Sequence, residues 1–400
     1  MIYSNPEYDV SRSKNPKSIS GHKFQINLIK GLLENSVNLK VLNIQRIRTV
    51  PFDKQLSVKR NEIKLDNKNI GIDISYFNFP FLNYLTQSVS LKKEIKRIIN
   101  ENPEENIVLL VFNTHYIQTK VVLSLKKQFP SLVTCNVAGD LYGEYGLKNT
   151  SLGLQKFWQR YVEKKQEQMQ IMFDKYVLLT PMMKDALNVK EGDYTVVEGF
   201  YDEKRTDGKN VSGAIDNSNK KTVFYAGSLR LAYGIEHLLK SFELINKPDY
   251  MLYIAGSGEG DTLVKEYSKK DSRIKYLGFL SPDDVKRYQQ SATVLVSPRK
   301  SDELFVKYSF PSKTFECLAS GKPYIAHKLP CEPDEYGKYI QYPDNESDEA
   351  LSRKIEWLCE LNADERNAIG EKAKQFIYNE KNVKVMCRKV CDLLNSCFKS

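Results

Sequence analysis

Short runs of apolar residues alternate along this chain with longer stretches in which apolar side chains recur every three or four positions. The first rhythm predicts strands and the second predicts amphipathic helices. MIYSNP reads as a short strand, residues 7–19 as a polar loop, and SGHKFQINLIKGLLEN as a helix with Phe24, Leu28 and Leu32 on one face. NLKVLNI and residues 72–77, 107–112 and 133–138 read as strands, with helices over 90–100 and 117–128. Residues 50–69 are polar, basic and irregular, and predict a loop. A helix over 152–173, the strand YVLLT and a short helix complete the first half. Residues 202–221 are rich in Asp, Asn, Lys, Gly and Ser, the composition of a linker. Beyond them TVFYAG, YMLYIAG, IKYLGF, TVLVSP and KPYIAH read as strands, separated by helices over 234–245, 260–269, 282–291 and 312–320. The last 40 residues are helical, with Val383, Met386, Val390 and Leu394 on one face.

Strands alternating with helices predict βαβ units and parallel sheets. Because the pattern restarts after the linker, the expected class is α/β, with two Rossmann-like doubly wound domains facing across a cleft. The expected divisions are residues 1–203, a linker at 204–221, a second domain at 222–375 and a C-terminal helix at 376–400 that crosses back to the first domain. A length of 400 residues also favours two cores over one.

Composition narrows the class. Hydrophobic residues make up 41% and charged residues 28%, and no apolar run reaches the length of a membrane span. The expected location is therefore the cytoplasm. The seven cysteines form no Cys-x-x-Cys pair, and Cys387 and Cys391, one helical turn apart without a nearby histidine, read as buried apolar thiols. Residues 1–200 carry 28 Lys/Arg against 20 Asp/Glu, whereas residues 201–400 carry 32 against 30. A basic first half points to an anionic partner. Nucleic acid is excluded as that partner, because no Lys/Arg cluster, zinc-finger spacing or RNA-binding motif is present.

In open parallel sheets, ligands bind where strands end and helices begin, so the residues just after each strand carry the chemistry. Gly227 and Gly234 bracket one such turn, with Arg230 between them, and Gly256 and Gly258 follow the next strand. These loops either admit a ligand close to the backbone or are ordinary βα turns. A nicotinamide site is not expected, because the third glycine and the acidic strand end are missing. The stretch SPRKSDELFVKYSFPSKTFECLASGKPYIA reads as strand, loop, helix and strand. Ser309 or Ser312 is placed to cap the helix, and Gly321 to end it. Its N-terminus, flanked by Arg299, Lys307 and Lys313, is a candidate phosphate site. Glu316 lies among Phe315, Cys317, Leu318 and Ala319, where it either accepts hydrogen bonds from ribose hydroxyls or pairs with a neighbouring lysine. In the first half, Asp140 follows a strand, and Gly21, His22 and Lys23 open a helix able to hold an anionic group of acceptor or donor. His115 also follows a strand and is given no role. Two aromatic stripes, YFNFPFLNYL and KFWQRYVEKK, read either as core faces of helices or as a peripheral contact with an anionic membrane.

The stretch from Pro298-Arg299 through Tyr308–Lys313 to Glu316–Pro323 resembles the family 4 retaining glycosyltransferases, of GT-B architecture. It is closest to their bacterial capsular and exopolysaccharide branch. The resemblance covers nearly all of residues 220–340, and is looser at Gly21–Lys23, Asp140 and VVEGFYD. It implies a retaining transfer from a nucleotide diphosphate sugar, a UDP-sugar, to a hydroxyl of a glycan or lipid-linked oligosaccharide, at the inner face of the plasma membrane. It further implies that Glu316 binds the ribose, and that Lys313 and Arg299 hold the diphosphate together with the N–H groups of Phe310 and Ser312. Asp140 touches the transferred sugar or the incoming hydroxyl. Gly227, Arg230, Gly256, Gly258, Tyr308 and Ser309 complete the expected donor site. Two positions depart from the family pattern. Tyr308 stands where the family has a glutamate, and Ser228 where it has an arginine, so that Arg230 takes that place. No metal or other cofactor is expected. The rival readings are a nucleotide-sugar epimerase on the same architecture and a binding protein without turnover.

Overall fold

The computed structural model describes residues 2–3, 19–45, 47–142, 154–202, 220–302 and 304–398. The expected loop at 7–19 and the expected linker fall largely outside these residues. The chain divides into two compact units, one formed by residues 1–200 with 383–400 and the other by residues 201–382.

In the first unit, β1 (Ile2–Tyr3) leads to α1 (Ile19–Glu34), β2 (Lys40–Asn43), β3 (Ser57–Val58), β4 (Asn61–Lys64), β5 (Ile70–Asp73) and β6 (Tyr76–Phe77). There follow α2 (Leu82–Glu101), β7 (Val108–Phe112), α3 (Tyr116–Gln128), β8 (Val133–Ala138), α4 (Leu154–Met169), β9 (Lys175–Leu178), α5 (Met183–Ala186) and β10 (Tyr194–Val196). The main sheet runs β10-β9-β8-β7-β1-β2-β5-β4. Every pair in it is parallel except β4 with β5, and β3 pairs with β6 in a separate antiparallel ribbon.

The region 50–69, expected to be a loop, thus contains two strands. All four residues of β4 are exposed, so this edge strand has no buried face to imprint a pattern on its sequence. Helix α2 begins at Leu82 rather than near residue 90, because its first two turns carry apolar side chains on the solvent face and disguise its amphipathicity. The strand β10 was not anticipated either; its three residues are only partly buried.

The second unit holds β11 (Lys221–Ala226), α6 (Ile235–Glu243), β12 (Tyr250–Ala255), α7 (Asp261–Lys270), β13 (Ile274–Gly278), α8 (Pro282–Ser291), β14 (Val294–Ser297), α9 (Lys313–Ala319), β15 (Tyr324–Ala326), α10 (Asp348–Glu360) and α11 (Ala363–Glu380). Its five-stranded sheet is wholly parallel, in the order β13-β12-β11-β14-β15. The core between this sheet and α6 and α10 includes Leu238, Leu239, Phe242, Leu252, Ile254, Val294 and Ile355, none of them reached by solvent.

The chain then returns to the first unit as α12 (Val383–Asn395). The expected single helix over 376–400 is two, α11 ending at Glu380 and α12 starting at Val383. Met386 and Val390 of α12 are buried against Leu28 and Leu32 of α1 and against Leu110, Cys135 and Val137 of the sheet, and Val383 is buried as well. Cys387 presses on Gly31, where a Cβ would lie 2.2 Å from its sulfur, so this cysteine is a helix-packing residue.

Gly256 of the second unit is packed as tightly. Gly256 has φ +141°, and a Cβ on it would lie 1.8 Å from the carbonyl oxygen of Gly227. Gly256→Ala is therefore expected to destabilise the second unit by about 2–3 kcal/mol, combining strain and overlap. A lower midpoint in urea for Gly256→Ala, beside a nearly unchanged one for Gly337→Ala, where a Cβ would meet only an ordinary contact at 3.8 Å, checks this.

Candidate donor and acceptor sites

A doubly wound sheet has a crevice where its strand order reverses, since consecutive crossovers leave in opposite directions there. In the second unit the reversal falls between β11 and β14. The residues leaving those strands are Gly227–Arg230 and Pro298-Arg299. Gly234, φ +82°, starts α6 and lies so close to the exit of β14 that a Cβ would be 2.1 Å from the Pro298 oxygen. The two exits are thus in direct contact.

Arg299 sits at this point and is only 7% exposed. Its guanidinium lies over the ring of Phe305 at 4.5 Å and that of Tyr233 at 5.1 Å. Its Nε and one terminal nitrogen are buried with no hydrogen-bond partner among the described residues. Burial lowers the pKa of Arg299 from the usual arginine range, with neighbouring tyrosines opposing the shift. Two aromatic faces offset part of the cost of burying the cation, but they accept no N–H. An unpaired buried charge costs several kcal/mol, so donors held in this state fit an anion that arrives from outside.

Glu332, 6% exposed, adds a second unusual group. One carboxylate oxygen accepts from the Leu329 N–H at 3.3 Å and the Tyr342 hydroxyl at 3.1 Å, while the other is buried without a partner among the described residues. Burial pushes its pKa up to about 7, although those hydrogen bonds and the charges of Lys328 and Arg299 pull it down. Because the folded-state value exceeds the usual 4.5, the stabilising neutral form is complete below 4.5 and is lost as pH rises through about 7. Glu332→Gln, neutral at every pH, is expected to gain about 3 kcal/mol over the parent between pH ~5 and ~8. Melting temperatures of both proteins across that range measure it.

Other predicted donor residues fall near the same edge with different partners. Gly256 and Gly258 leave no free space for a ligand at their Cα atoms. Gly258 abuts the Leu229 backbone, and the two loops are joined by Leu229 N–H to Ser257 O at 3.0 Å and Gly260 N–H to Leu229 O at 2.8 Å. Arg230 is exposed and lies over Tyr233 at 5.7 Å. Tyr308 ends a 3-10 turn, Leu304–Tyr308, and with Ser309 leads into α9. Phe310 is buried against Phe315 and Tyr336, so its side chain is core. Ser312 occupies the N-cap position in a helical conformation and makes no side-chain cap bond, contrary to the capping expectation. Gly321, φ +74°, does end the helix. Glu316 is partly exposed and paired with Lys313 at 2.7 Å, one helical turn apart. The pairing alternative for Glu316 is thus the one present, and neither charge is isolated. Such a solvated pair contributes at most about 1 kcal/mol and is easily exchanged for a ligand.

In the first unit the strand order reverses between β1 and β7. Asn113 leaves β7 with φ +54°, a conformation asparagine tolerates better than most residues. Its Oδ1 accepts from the Gly139 N–H at 2.7 Å and the Asp140 N–H at 3.2 Å, and its Nδ2 donates to the Asp140 carboxylate at 3.0 Å. The Asp140 carboxylate is therefore held by the residue that leaves the neighbouring strand. Loss of water raises its pKa above the usual aspartate value, against the lowering effect of Asn113. Gly21, His22 and Lys23 are the third to fifth residues of α1, with His22 buried. His115 is the residue before α3 and occupies its N-cap position without a side-chain capping bond.

Asn113, Tyr233, Phe305 and Glu332 were not singled out from the sequence. Asn113 carried a usable signal, since an asparagine immediately after an apolar strand is a common left-handed exit.

Residues 211–376 match the family model described as glycosyl transferases group 1. The fold is similar to that of a glycosyltransferase from Rickettsia africae, at 16% identity and TM-score 0.63 over 100% of this chain and 98% of that one. It is also similar to sucrose-phosphate synthase from Thermosynechococcus elongatus, at 15% identity and TM-score 0.60 over 99% and 98%. A third similar structure is Anabaena HepE in complex with UDP, at 12% identity and TM-score 0.61 over 99% of both chains. Among curated proteins, none matches the sequence. The second unit thus carries a glycosyl transferase group 1 domain over residues 211–376, and the chain has the α/β fold, with two parallel sheets, of solved glycosyltransferases.

Proposed function

We propose that the protein moves a sugar, with retention at the anomeric carbon, from a UDP-sugar to a hydroxyl of a glycan or lipid-linked oligosaccharide in surface polysaccharide synthesis, working as a peripheral protein at an anionic membrane. The observation that carries this reading is Arg299: a buried cation with unpaired donors at the reversal point of the second unit. A diphosphate supplies the acceptor oxygens those donors lack. In transfer, negative charge builds on the departing diphosphate, and a donor fixed in advance in a dry setting stabilises it at little reorganisation cost. Lys313 adds a second cation by exchanging Glu316 for phosphate, which frees the Glu316 carboxylate for the ribose hydroxyls. The solved complexes of Anabaena HepE with UDP and with UDP-glucose support a uridine nucleotide on this fold. Asp140, oriented by Asn113, meets the acceptor hydroxyl. The stereochemistry and the polysaccharide role rest on the sequence resemblance around Tyr308–Pro323.

The test is UDP release from a panel of UDP-sugars, with and without membrane lipid extracts. Release that depends on both a particular sugar and the lipid extract is the expected outcome. A sugar isomerised without acceptor would replace this reading by an epimerase. UDP binding with no turnover on any donor would replace it by a binding protein. NAD raising the melting temperature where UDP and GDP do not would overturn it altogether.

A further inference from the structure

The second unit buries two histidines that neither its apolar core nor the proposed transfer step uses. His237 of α6 and His327, which follows β15, are 6% and 2% exposed. Their Nε2 atoms face each other at 2.9 Å. His237 Nδ1 meets the carboxylate of Asp348, the first residue of α10, in a short hydrogen bond. Burial holds His237 below the usual histidine range, with Asp348 pulling the other way, and burial together with His237 takes His327 down to about 4. The charges of Lys300 and Glu346 also bear on both rings, in opposite senses.

Both rings are therefore neutral near neutral pH, and the bonding fixes where each proton sits. A carboxylate only accepts, so His237 carries its proton on Nδ1 and offers its bare Nε2 as an acceptor. His327 must then supply the proton of the Nε2 contact. The chain has one direction, from His327 through His237 to Asp348, and each donor in it has an acceptor. A buried polar chain satisfied in this way rigidifies the elements it joins and selects one arrangement of them.

Those elements surround a single loop. Pro298–Ser301 leaves β14 and presents Arg299. On one side Gly234, at the start of α6, presses on the Pro298 carbonyl. On the other, the Ser301 N–H donates at 2.9 Å to Glu346, which lies just before α10. Because His237 and Asp348 tie α6 to α10, the loop, Glu346, Asp348, His237 and Gly234 close a ring of contacts around the Arg299 backbone. His327 adds the exit of β15, whose continuation carries Cys331 and Glu332 within reach of the Arg299 charge. The ring holds that backbone without occupying the two guanidinium nitrogens that lack partners among the described residues. A binding group kept open on a fixed loop is the product of such outer support.

We propose that the Asp348–His237–His327 chain is a positioning device for the donor site, fixing the loop after β14 so that the Arg299 fork meets a diphosphate in a set geometry. The three residues act through Arg299. This role rests on the diphosphate proposed above at Arg299, whereas the direction of the proton chain does not.

Two measurements test it. The protein has only four histidines, so nitrogen NMR of isotope-labelled histidine gives signals few enough to assign by substitution. Between pH ~6 and ~8, His237 should be the Nδ1–H tautomer and His327 the Nε2–H tautomer, and Asp348→Ala should mix the two forms of His237. An imidazolium or the opposite tautomer at His237 overturns the chain, whatever the nucleotide does. The second measurement is a double-substitution cycle on kcat/KM. His237→Leu should lower it about 30-fold and Asp348→Ala about tenfold, because a small misalignment of a charged donor is costly. In an Arg299→Lys background each should cost no more than about threefold, since the group they align is already gone. A merely structural role would multiply in full across both backgrounds, and that result overturns the proposal, as does activity that both variants keep. Asp348 is partly exposed, so Asp348→Ala carries the cycle even where His237→Leu disturbs folding. A parent that ignores UDP overturns the nucleotide reading and the positioning role together. Full multiplication in a parent that does release UDP overturns the positioning role alone.

Discussion

Arg299→Lys is expected to lower kcat/KM for sugar transfer by about 10²–10³, while Arg299→Met lowers it at least as far and leaves the protein as stable as the parent or more so. Both halves follow from the same geometry. The guanidinium is 7% exposed, stacked near Phe305 and Tyr233, and has two nitrogens without partners among the described residues. In the unliganded protein the charge is a cost. Replacing it with an apolar chain of similar length removes that cost and keeps the contact with the rings. With a diphosphate in place the same nitrogens make charge-assisted hydrogen bonds, which a lysine cannot reproduce, because its single ammonium neither stacks flat between rings nor offers a fork. Steady-state kinetics and melting temperatures with and without UDP check both parts. A large fall in stability for Arg299→Met would show that the arginine is a structural ion. Full activity in Arg299→Lys would remove it from the donor site.

Much of the architecture was readable because parallel α/β folds advertise themselves. Strands buried on both faces, such as VFY in β11 or VLV in β14, are runs of apolar and aromatic residues, and the helices between them carry one apolar stripe. What could not be read follows from the same rule. The exposed edge strand β4 and the apolar solvent face of α2 break the pattern, since neither is shaped by the core. Of the candidate site, Arg299 was legible as a cation after a strand, and Glu316 as a carboxylate needing a reason. The sequence left two reasons open for Glu316, and the unliganded structure contains the pairing with Lys313. The glycine loops carry a packing role that their spacing does not reveal. Gly256 and Gly258 are small because Gly227 and Leu229 pack on them, a contact between residues nearly 30 positions apart that local spacing does not encode. Strand order, on which the reversal points depend, is likewise a property of the folded sheet. That is why Asn113, at the exit of β7 beside the reversal, was passed over while Asp140 was not.

Asp140→Asn is expected to cut transfer by about 10³ while leaving the UDP-induced rise in melting temperature unchanged. The two readouts separate because Asp140 belongs to the first unit and the nucleotide contacts proposed here belong to the second. The carboxylate is held by Asn113 Nδ2 at 3.0 Å, so its geometry survives the change to an amide, and only its charge and basicity are lost. A pH profile adds a second check. Desolvation raises the Asp140 pKa, and the Asn113 hydrogen bond lowers it. The charged form is the active one, so activity should fall as pH drops through that raised value, above where an ordinary aspartate titrates. Asn113→Gly keeps the left-handed exit from β7 but removes the donor that favours the carboxylate. The acid limb of kcat/KM should then move to higher pH, with the plateau lowered about tenfold by the looser carboxylate. A residue with a merely structural role would lower the plateau and leave the limb in place. An unshifted limb in Asn113→Gly, or a lost UDP response in Asp140→Asn, would assign Asp140 to holding the loop after β8 and not to the acceptor.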